Sequence, residues 1–148
     1  MSNDRTRRRI LIAEDSPAVA RILRRQVERW TGSRAEVVVA DIPYTVASMV
    51  AEIVATNPPD LVITDGLAGY AADVVNDCCE AGVPAIVYTG EPERYAALHA
   101  AVISKPADHL LRATIDDALS NAPDPSGSRP VQSPAPGQAR GGGLSGGR

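Results

Sequence analysis

The single lysine of this chain stands where it could take part in chemistry. Lys105 follows the short apolar run of residues 101–103 and precedes a proline, whereas the other fourteen cationic side chains are all arginine. A lysine ammonium is a compact charge on a flexible stem and a guanidinium is a planar fork, so the two are not interchangeable at a tight phosphate site. Lys105 is therefore a candidate for binding a phosphoryl group.

Polar residues also follow three other apolar runs. Glu14 and Asp15 follow the first run, Asp65 follows the second and Thr89 follows the third. Three carboxylates brought together repel one another unless a proton or a cation neutralises them. Mg²⁺ suits such oxygen ligands and typically binds phosphate at the same time. An ionised aspartate can also act as a nucleophile toward phosphorus. The set therefore indicates a magnesium-dependent phosphoryl site.

Each of these residues has a simpler interpretation when it is taken alone. An acidic pair after a strand often leads into a helix, Asp65 before a glycine could form a turn, and Lys105 before a proline is common in loops. Thr89 alone carries almost no information. The functional interpretation therefore depends on the ordered set, in which every member follows a different apolar run.

The apolar runs are short and have no polar face, which is typical of parallel strands that are covered on both sides. The predicted strands are residues 9–14, 36–40, 61–65, 84–89 and 101–104.

Helical periodicity appears between the predicted strands. Ser16 and Pro17 predict the start of the first helix, and Thr31 with Gly32 predict its end. The apolar face of that helix is expected to hold Val19, Ile22, Leu23, Val27 and Trp30. Similar stripes predict helices that carry Val46, Met49, Val50, Ile53 and Val54; Val74, Val75, Cys78 and Cys79; and Leu111, Ile115, Ala118 and Leu119. A short, weakly patterned helix is expected over residues 91–100.

Five alternating strand–helix units predict an α/β fold. We expect a flavodoxin-like, doubly wound, five-stranded parallel sheet of order 2-1-3-4-5, with helices on both faces. Ligands of such sheets bind at the carboxyl ends of the strands, beside the point where the strand order reverses. All the candidate residues lie at or directly after the carboxyl ends of predicted strands, so the fold would bring them together.

The ends of the chain differ from its centre in composition. Residues 1–7 are predicted to be a flexible basic lead-in, residues 8–122 the folded domain, and residues 123–148 a disordered tail rich in proline and glycine. The net charge of −3 gives no sign of nucleic-acid binding. We expect no signal peptide, because only four apolar residues follow the basic start, and no apolar run approaches the ~20 residues of a membrane span. We therefore expect a cytoplasmic protein, with Cys78 and Cys79 as core thiols.

The sequence resembles the receiver domain of two-component response regulators over about residues 8–122. The resemblance is carried by residues 10–17, 59–65, 87–90 and 104–106. It implies that Asp65 accepts a phosphoryl group from a histidine kinase or a phosphotransfer protein. It also implies that Thr89 and Lys105 bind that group.

The same resemblance implies a metal site. Asp15, Asp65 and the backbone carbonyl of Leu67 would bind Mg²⁺ directly, and Glu14 would act through water. The expected function is a stand-alone receiver that is not an enzyme, has no DNA-binding domain and signals through contacts with an unknown output protein. Its oligomeric state stays open.

The chain departs from the family pattern at three places. The loop of residues 66–70 lacks the usual Met-Pro and Asp-Gly pairs, the segment from Thr89 to Lys105 is short by about a helical turn, and Val102 stands where an aromatic residue is common. These departures leave an alternative, an atypical receiver that binds a partner constitutively without cycling phosphate.

Two further classes fit the sequence less well. A phosphatase of the haloacid dehalogenase kind would need an acid two residues after its nucleophile, where Leu67 stands here. A nucleotide-binding module would need a glycine-rich phosphate fingerprint, which the sequence lacks.

Overall fold

A computed structural model describes residues 7–121 of the chain as a five-stranded sheet with α-helices on both faces. The strands are β1 (Arg8–Ala13), β2 (Ala35–Ala40), β3 (Leu61–Thr64), β4 (Ala85–Thr89) and β5 (Ala101–Ser104). The α-helices are α1 (Pro17–Thr31), α2 (Val46–Thr56), α3 (Ala71–Ala81) and α4 (Asp108–Asn121). All the strand pairs are parallel and the order is β2-β1-β3-β4-β5, which confirms the predicted topology.

The core lies in two layers because successive residues of a strand point to opposite faces of the sheet. Ile10 and Ile12 of β1 pack with residues of α1 and α4 on one face. Leu11 and Ala13 pack with residues of α2 and α3 on the other. All four side chains are fully buried. This two-sided burial explains why the central residues of β1 are apolar on both faces.

Helix α1 begins as predicted, but its buried face is narrower. The Ser16 side chain accepts a hydrogen bond from the Val19 amide at 3.4 Å, and Pro17 occupies the first turn. Leu23 and Val27 are buried, whereas Val19 is exposed and Ile22 is 67% exposed. The predicted apolar stripe was too wide, because the sheet buries only the part of the surface of α1 around Leu23 and Val27.

The expected helix over residues 91–100 is wrong. This segment contains one 3₁₀ turn, Pro92–Tyr95, and no α-helix. The eleven residues 90–100 must return the chain from the end of β4 to the start of β5. A parallel crossover that contains a helix needs about a dozen residues, so this connection lies at the lower limit of length for one.

The two cysteines differ in environment. Cys78 is buried, as expected of a core thiol, and its burial raises the pKa of the thiol to about 12. Cys79 is exposed, so the expectation that it lies in the core is wrong. The helix turns by about 100° between adjacent residues, and only one of the two side chains can face the sheet.

The expectations for residues 1–6 and for the tail, residues 123–148, lie outside the described residues. Within residues 7–121, the structure has no helix of the length and apolar character that crossing a membrane requires.

Candidate functional site

The ends of β1 and β3 bring three carboxylates together. Backbone hydrogen bonds continue past both strands, from the Glu14 amide to Ala40 and from the Asp65 amide to Ala13. The acidic residues therefore begin where regular pairing ends. Each of Glu14, Asp15 and Asp65 offers a carboxylate oxygen, and these oxygens all lie within 4.8 Å of one another.

The side chain of Lys105 reaches this group from the end of β5. Its Nζ lies 3.0 Å from Oδ1 of Asp65 and 3.5 Å from Oε1 of Glu14. The backbone amide of Lys105 donates to the Thr89 carbonyl, which anchors its main chain to β4. The ammonium also lies 5.7 Å from the centre of the Tyr88 ring. Lys105 thus forms ion pairs with two acids that follow different strands.

The position of Glu14 makes a negative charge on its side chain unfavourable. Its side chain is almost fully buried, and only Oε2 accepts a hydrogen bond, from the Ser16 amide. Oε1 is buried and has no hydrogen-bond partner, although it lies within ion-pair distance of Lys105. Burial, and then the charge of Asp65, raise the pKa of Glu14 above its ordinary value.

The donor set fits a divalent cation. Three ionised carboxylates and one ammonium carry a formal charge of −2, all the carboxylate ligands are oxygens, and one buried oxygen lacks a hydrogen-bond donor. Hard cations such as Mg²⁺ prefer oxygen ligands of this kind. The residues present therefore agree with the predicted magnesium site.

The loop after Asp65 adopts an unusual backbone conformation. Leu67 and Ala68 both have left-handed torsions, with φ of 53° and 52°. For residues with a Cβ such torsions cost roughly 1–2 kcal/mol each, so neighbouring contacts must stabilise the loop. The Leu67 side chain is buried in the core, and its amide donates to Oδ2 of Asp65 at 3.1 Å. The Leu67 carbonyl accepts from the Tyr70 amide, and its role as a metal ligand stays a prediction.

Thr89 is the last residue of β4, and its hydroxyl is hydrogen-bonded within the loop that follows that strand. Its hydroxyl accepts a hydrogen bond from the Glu91 amide at 3.0 Å. Among the hydrogen bonds found within residues 7–121, none joins this hydroxyl to Asp65. The structure thus brings Glu14, Asp65 and Lys105 into direct contact, and it places Thr89 at the end of the neighbouring strand.

Two tyrosines near the site had no role in the sequence analysis. The Tyr88 hydroxyl donates a short hydrogen bond to Asp108, which also accepts from Gln26 of α1. Tyr95 is only 3% exposed, and its hydroxyl donates to the backbone carbonyl of Gly66. The sequence shows that aromatic residues are scarce, but it does not predict these two hydrogen bonds. Both bonds depend on how the loops fold over the sheet.

Comparison with known structures shows which proteins have a similar fold. A response regulator receiver protein from Burkholderia phymatum matches with a TM-score of 0.58 and 26% identity, over 77% of this chain and 96% of that one. A DNA-binding response regulator of the LuxR family from Staphylococcus aureus matches with a TM-score of 0.58 and 15% identity, over 76% and 98%. This chain has the fold of a response-regulator receiver domain.

A receiver-like fold does not by itself determine function. A 3-dehydroquinate dehydratase-like protein from Bifidobacterium longum matches with a TM-score of 0.54 and 12% identity, over 76% of this chain and 96% of that one. No protein-family model matches the sequence, and no curated protein matches it significantly. Function must therefore be inferred from the site.

The raised pKa of Glu14 gives a prediction about stability without metal. The folded state holds this proton more tightly than the unfolded state, so the free energy of unfolding falls as pH rises from 4.5 through the raised pKa. We expect Glu14→Gln to be more stable than the wild type at pH 8 in EDTA, and the gain should vanish toward pH 4. Urea unfolding across this range measures both proteins.

The matched control for this prediction is Glu52→Gln, which changes an exposed residue of α2 and should leave the pH profile unchanged. A Glu14→Gln variant less stable than the wild type at pH 8 would show that pairing with Lys105 outweighs the cost of burying the charge.

Proposed function

We propose that this protein is a receiver that accepts a phosphoryl group on Asp65 and signals through protein contacts. The observation that carries the proposal is the 3.0 Å pairing of Lys105 with Asp65 inside a cluster of three carboxylates. A lone ammonium facing a nucleophilic carboxylate can neutralise a phosphoryl group in transfer. The receiver fold of two similar structures supports the same function.

The proposed chemistry is an in-line displacement. An oxygen of the Asp65 carboxylate attacks phosphorus and forms a P–O bond, while the bond from phosphorus to the donor breaks and its electron pair leaves with the donor. Lys105 neutralises negative charge on the transferring oxygens, and the Thr89 hydroxyl can donate a hydrogen bond to one of them. Gly90 offers no side chain and leaves room for the donor.

Glu14, Asp15 and Asp65 would hold Mg²⁺ in this proposal, together with the Leu67 carbonyl. When bound, Mg²⁺ supplies positive charge against the phosphoryl oxygens and lessens the repulsion among the acids. Lys105 alone cannot do this, because a formal charge of −2 remains after its pairing.

The partners in this proposal are a histidine kinase or phosphotransfer protein as donor and an output protein that reads the phosphorylated state. The protein would not be an enzyme, although its residues assist their own phosphorylation. We also propose a cytoplasmic location, to which the two free cysteines are suited, since thiols stay reduced there.

Acetyl phosphate, a small phosphodonor, provides the direct test. Incubation of the full chain with acetyl phosphate and Mg²⁺ should add the mass of one phosphoryl group, and the modified peptide should contain Asp65. The product should be an acyl phosphate, which hydroxylamine removes, and EDTA should suppress its formation. A protein that gains no mass at any donor concentration would overturn the proposal.

One observation favours the alternative, an atypical receiver that binds its partner constitutively. Val102 pairs with Val87 in the sheet and packs against the core cluster that includes Tyr95, and a valine cannot report phosphorylation by swinging an aromatic ring. If this alternative holds, Mg²⁺ and acetyl phosphate should leave both the mass of the protein and its affinity for a purified partner unchanged.

A further inference from the structure

The 3₁₀ turn Pro92–Tyr95, where a fourth helix was expected, contacts the loop that follows Asp65. The Tyr95 hydroxyl donates to the Gly66 carbonyl at 3.0 Å. A Cβ added to Gly66 would lie 2.7 Å from that hydroxyl, and one added to Gly69 would lie 2.9 Å from the Arg94 guanidinium. Both glycines therefore leave space that this turn occupies.

The Gly66 carbonyl organises the loop. It accepts hydrogen bonds from the Gly69 amide at 3.0 Å and the Ala71 amide at 3.1 Å, besides that from Tyr95. The two amides belong to the loop and to the start of α3, whereas the Tyr95 hydroxyl comes from a separate segment. Tyr95 thus links the left-handed loop to the connection between β4 and β5.

The peptide unit between Gly66 and Leu67 connects the hydrogen bond of Tyr95 to Asp65. The Gly66 carbonyl and the Leu67 amide belong to the same planar group and point in opposite directions. Tyr95 holds the carbonyl end, and the amide end donates to Oδ2 of Asp65 at 3.1 Å. A rotation of this plane that broke one hydrogen bond would also misdirect the other.

We infer that Tyr95 is a positioning residue for Asp65, which rests on the proposed function of that carboxylate. Its hydroxyl fixes the Gly66–Leu67 peptide plane, and this plane orients Oδ2 while Lys105 holds Oδ1. Gly66 has an ordinary φ of −64°, so its need for glycine comes from the close approach of Tyr95 and not from its backbone torsion.

Removing the Tyr95 hydroxyl tests this inference without creating a cavity in the core. Tyr95→Phe keeps the ring that packs against Ala71, Val75 and Val87. We expect the rate of phosphorylation by acetyl phosphate at saturating Mg²⁺ to fall about fivefold, the effect of one hydrogen bond. Hydrogen exchange of the Gly69 and Ala71 amides should accelerate, while that of amides within the sheet should not.

Two control variants separate positioning from general loss of stability. Tyr70→Phe removes the hydroxyl of an exposed tyrosine in the same loop. Ile115→Val trims the core of the opposite sheet face and lowers stability there. Both should change the phosphorylation rate by less than about twofold, within the scatter expected of single contacts.

A double-mutant cycle gives a second measurement. Gly66→Ala should reduce the phosphorylation rate more in the wild type than in Tyr95→Phe, because the clash with the hydroxyl is absent from the second background. Additive effects, together with a Tyr95→Phe rate equal to that of Tyr70→Phe, would overturn the inference. If the wild type takes up no phosphoryl group, the proposed function fails instead. The exchange of the Gly69 and Ala71 amides still decides whether Tyr95 holds the loop.

Discussion

The Asp65→Asn variant should take up a phosphoryl group from acetyl phosphate at least about a thousandfold more slowly than the wild type, as for enzymes that lose a nucleophile. An amide oxygen is a poor nucleophile, and the asparagine side chain has nearly the same shape as the aspartate that it replaces. The loss should therefore come from chemistry and not from misfolding. Intact-protein mass spectrometry over a time course measures the uptake.

The same substitution should change the titration of Glu14. The charge of Asp65 is the second cause of the raised pKa of Glu14, after burial, so the neutral amide should lower that pKa toward its ordinary value. Stability in EDTA should then depend less steeply on pH above 4.5 than in the wild type. Urea unfolding of Asp65→Asn at several pH values measures this second effect independently of phosphorylation.

Asp117→Asn, which changes an exposed acid on α4, is the matched control and should be phosphorylated like the wild type. Uptake by Asp65→Asn at the wild-type rate would assign the acceptor to another residue. Asp15, in the same cluster, would be the next to test.

Much of the fold was predictable because the strands have a distinctive pattern. Runs such as Leu61–Thr64 are buried on both sides, which is typical of a central parallel strand. The predicted strand bounds differ from the observed ones by a residue or so. The contact between Lys105 and Asp65 followed from strand order, because parallel strands carry their carboxyl ends to one edge of the sheet.

The errors concern which side chains a helix buries and how loops cross the sheet edge. Ile22 has the right residue type for a core position, but the sheet covers only the neighbouring arc of α1. Residues 91–100 have good helix formers, yet the short connection between β4 and β5 forms only the 3₁₀ turn Pro92–Tyr95. Propensity is a weak prior, and tertiary geometry overrides it in this segment.

The role of Tyr95 could not be predicted for a related reason. Its hydroxyl meets a backbone carbonyl, and backbone groups carry no signature in the sequence. The two glycines after Asp65 were visible, but a glycine can be required for several reasons, from a positive φ at Gly69 to a close contact at Gly66. Only the folded loop tells these reasons apart.

The Lys105→Met variant should lose both stability and phosphoryl uptake. Lys105 is the one cation paired with the cluster in the described part of the chain, so its removal leaves Glu14, Asp15 and Asp65 without a balancing charge. Breaking a buried ion pair costs several kcal/mol, and because the lysine is 29% exposed we expect a loss of roughly 2 kcal/mol at pH 8 in EDTA.

Conditions that neutralise the acids should restore the stability of Lys105→Met. Millimolar Mg²⁺ should recover most of the loss. A pH well below 4.5, where Glu14 is protonated in both the folded and unfolded states, should recover the part that comes from the charge of Glu14. Even in Mg²⁺, the rate of phosphoryl uptake should stay about a hundredfold below that of the wild type, because the ammonium that faces Asp65 contributes to the transfer itself. Urea unfolding and mass spectrometry on the same samples separate the two effects.

Lys105→Arg separates charge from geometry. It keeps the cation and should recover most of the stability, but the planar guanidinium cannot take the place of a compact ammonium 3.0 Å from Asp65 and 3.5 Å from Glu14. Phosphoryl uptake should therefore remain well below that of the wild type. An arginine variant as active as the wild type would mean that the site needs only a positive charge. The retention of a single lysine among fourteen arginines would then have no explanation in phosphoryl chemistry.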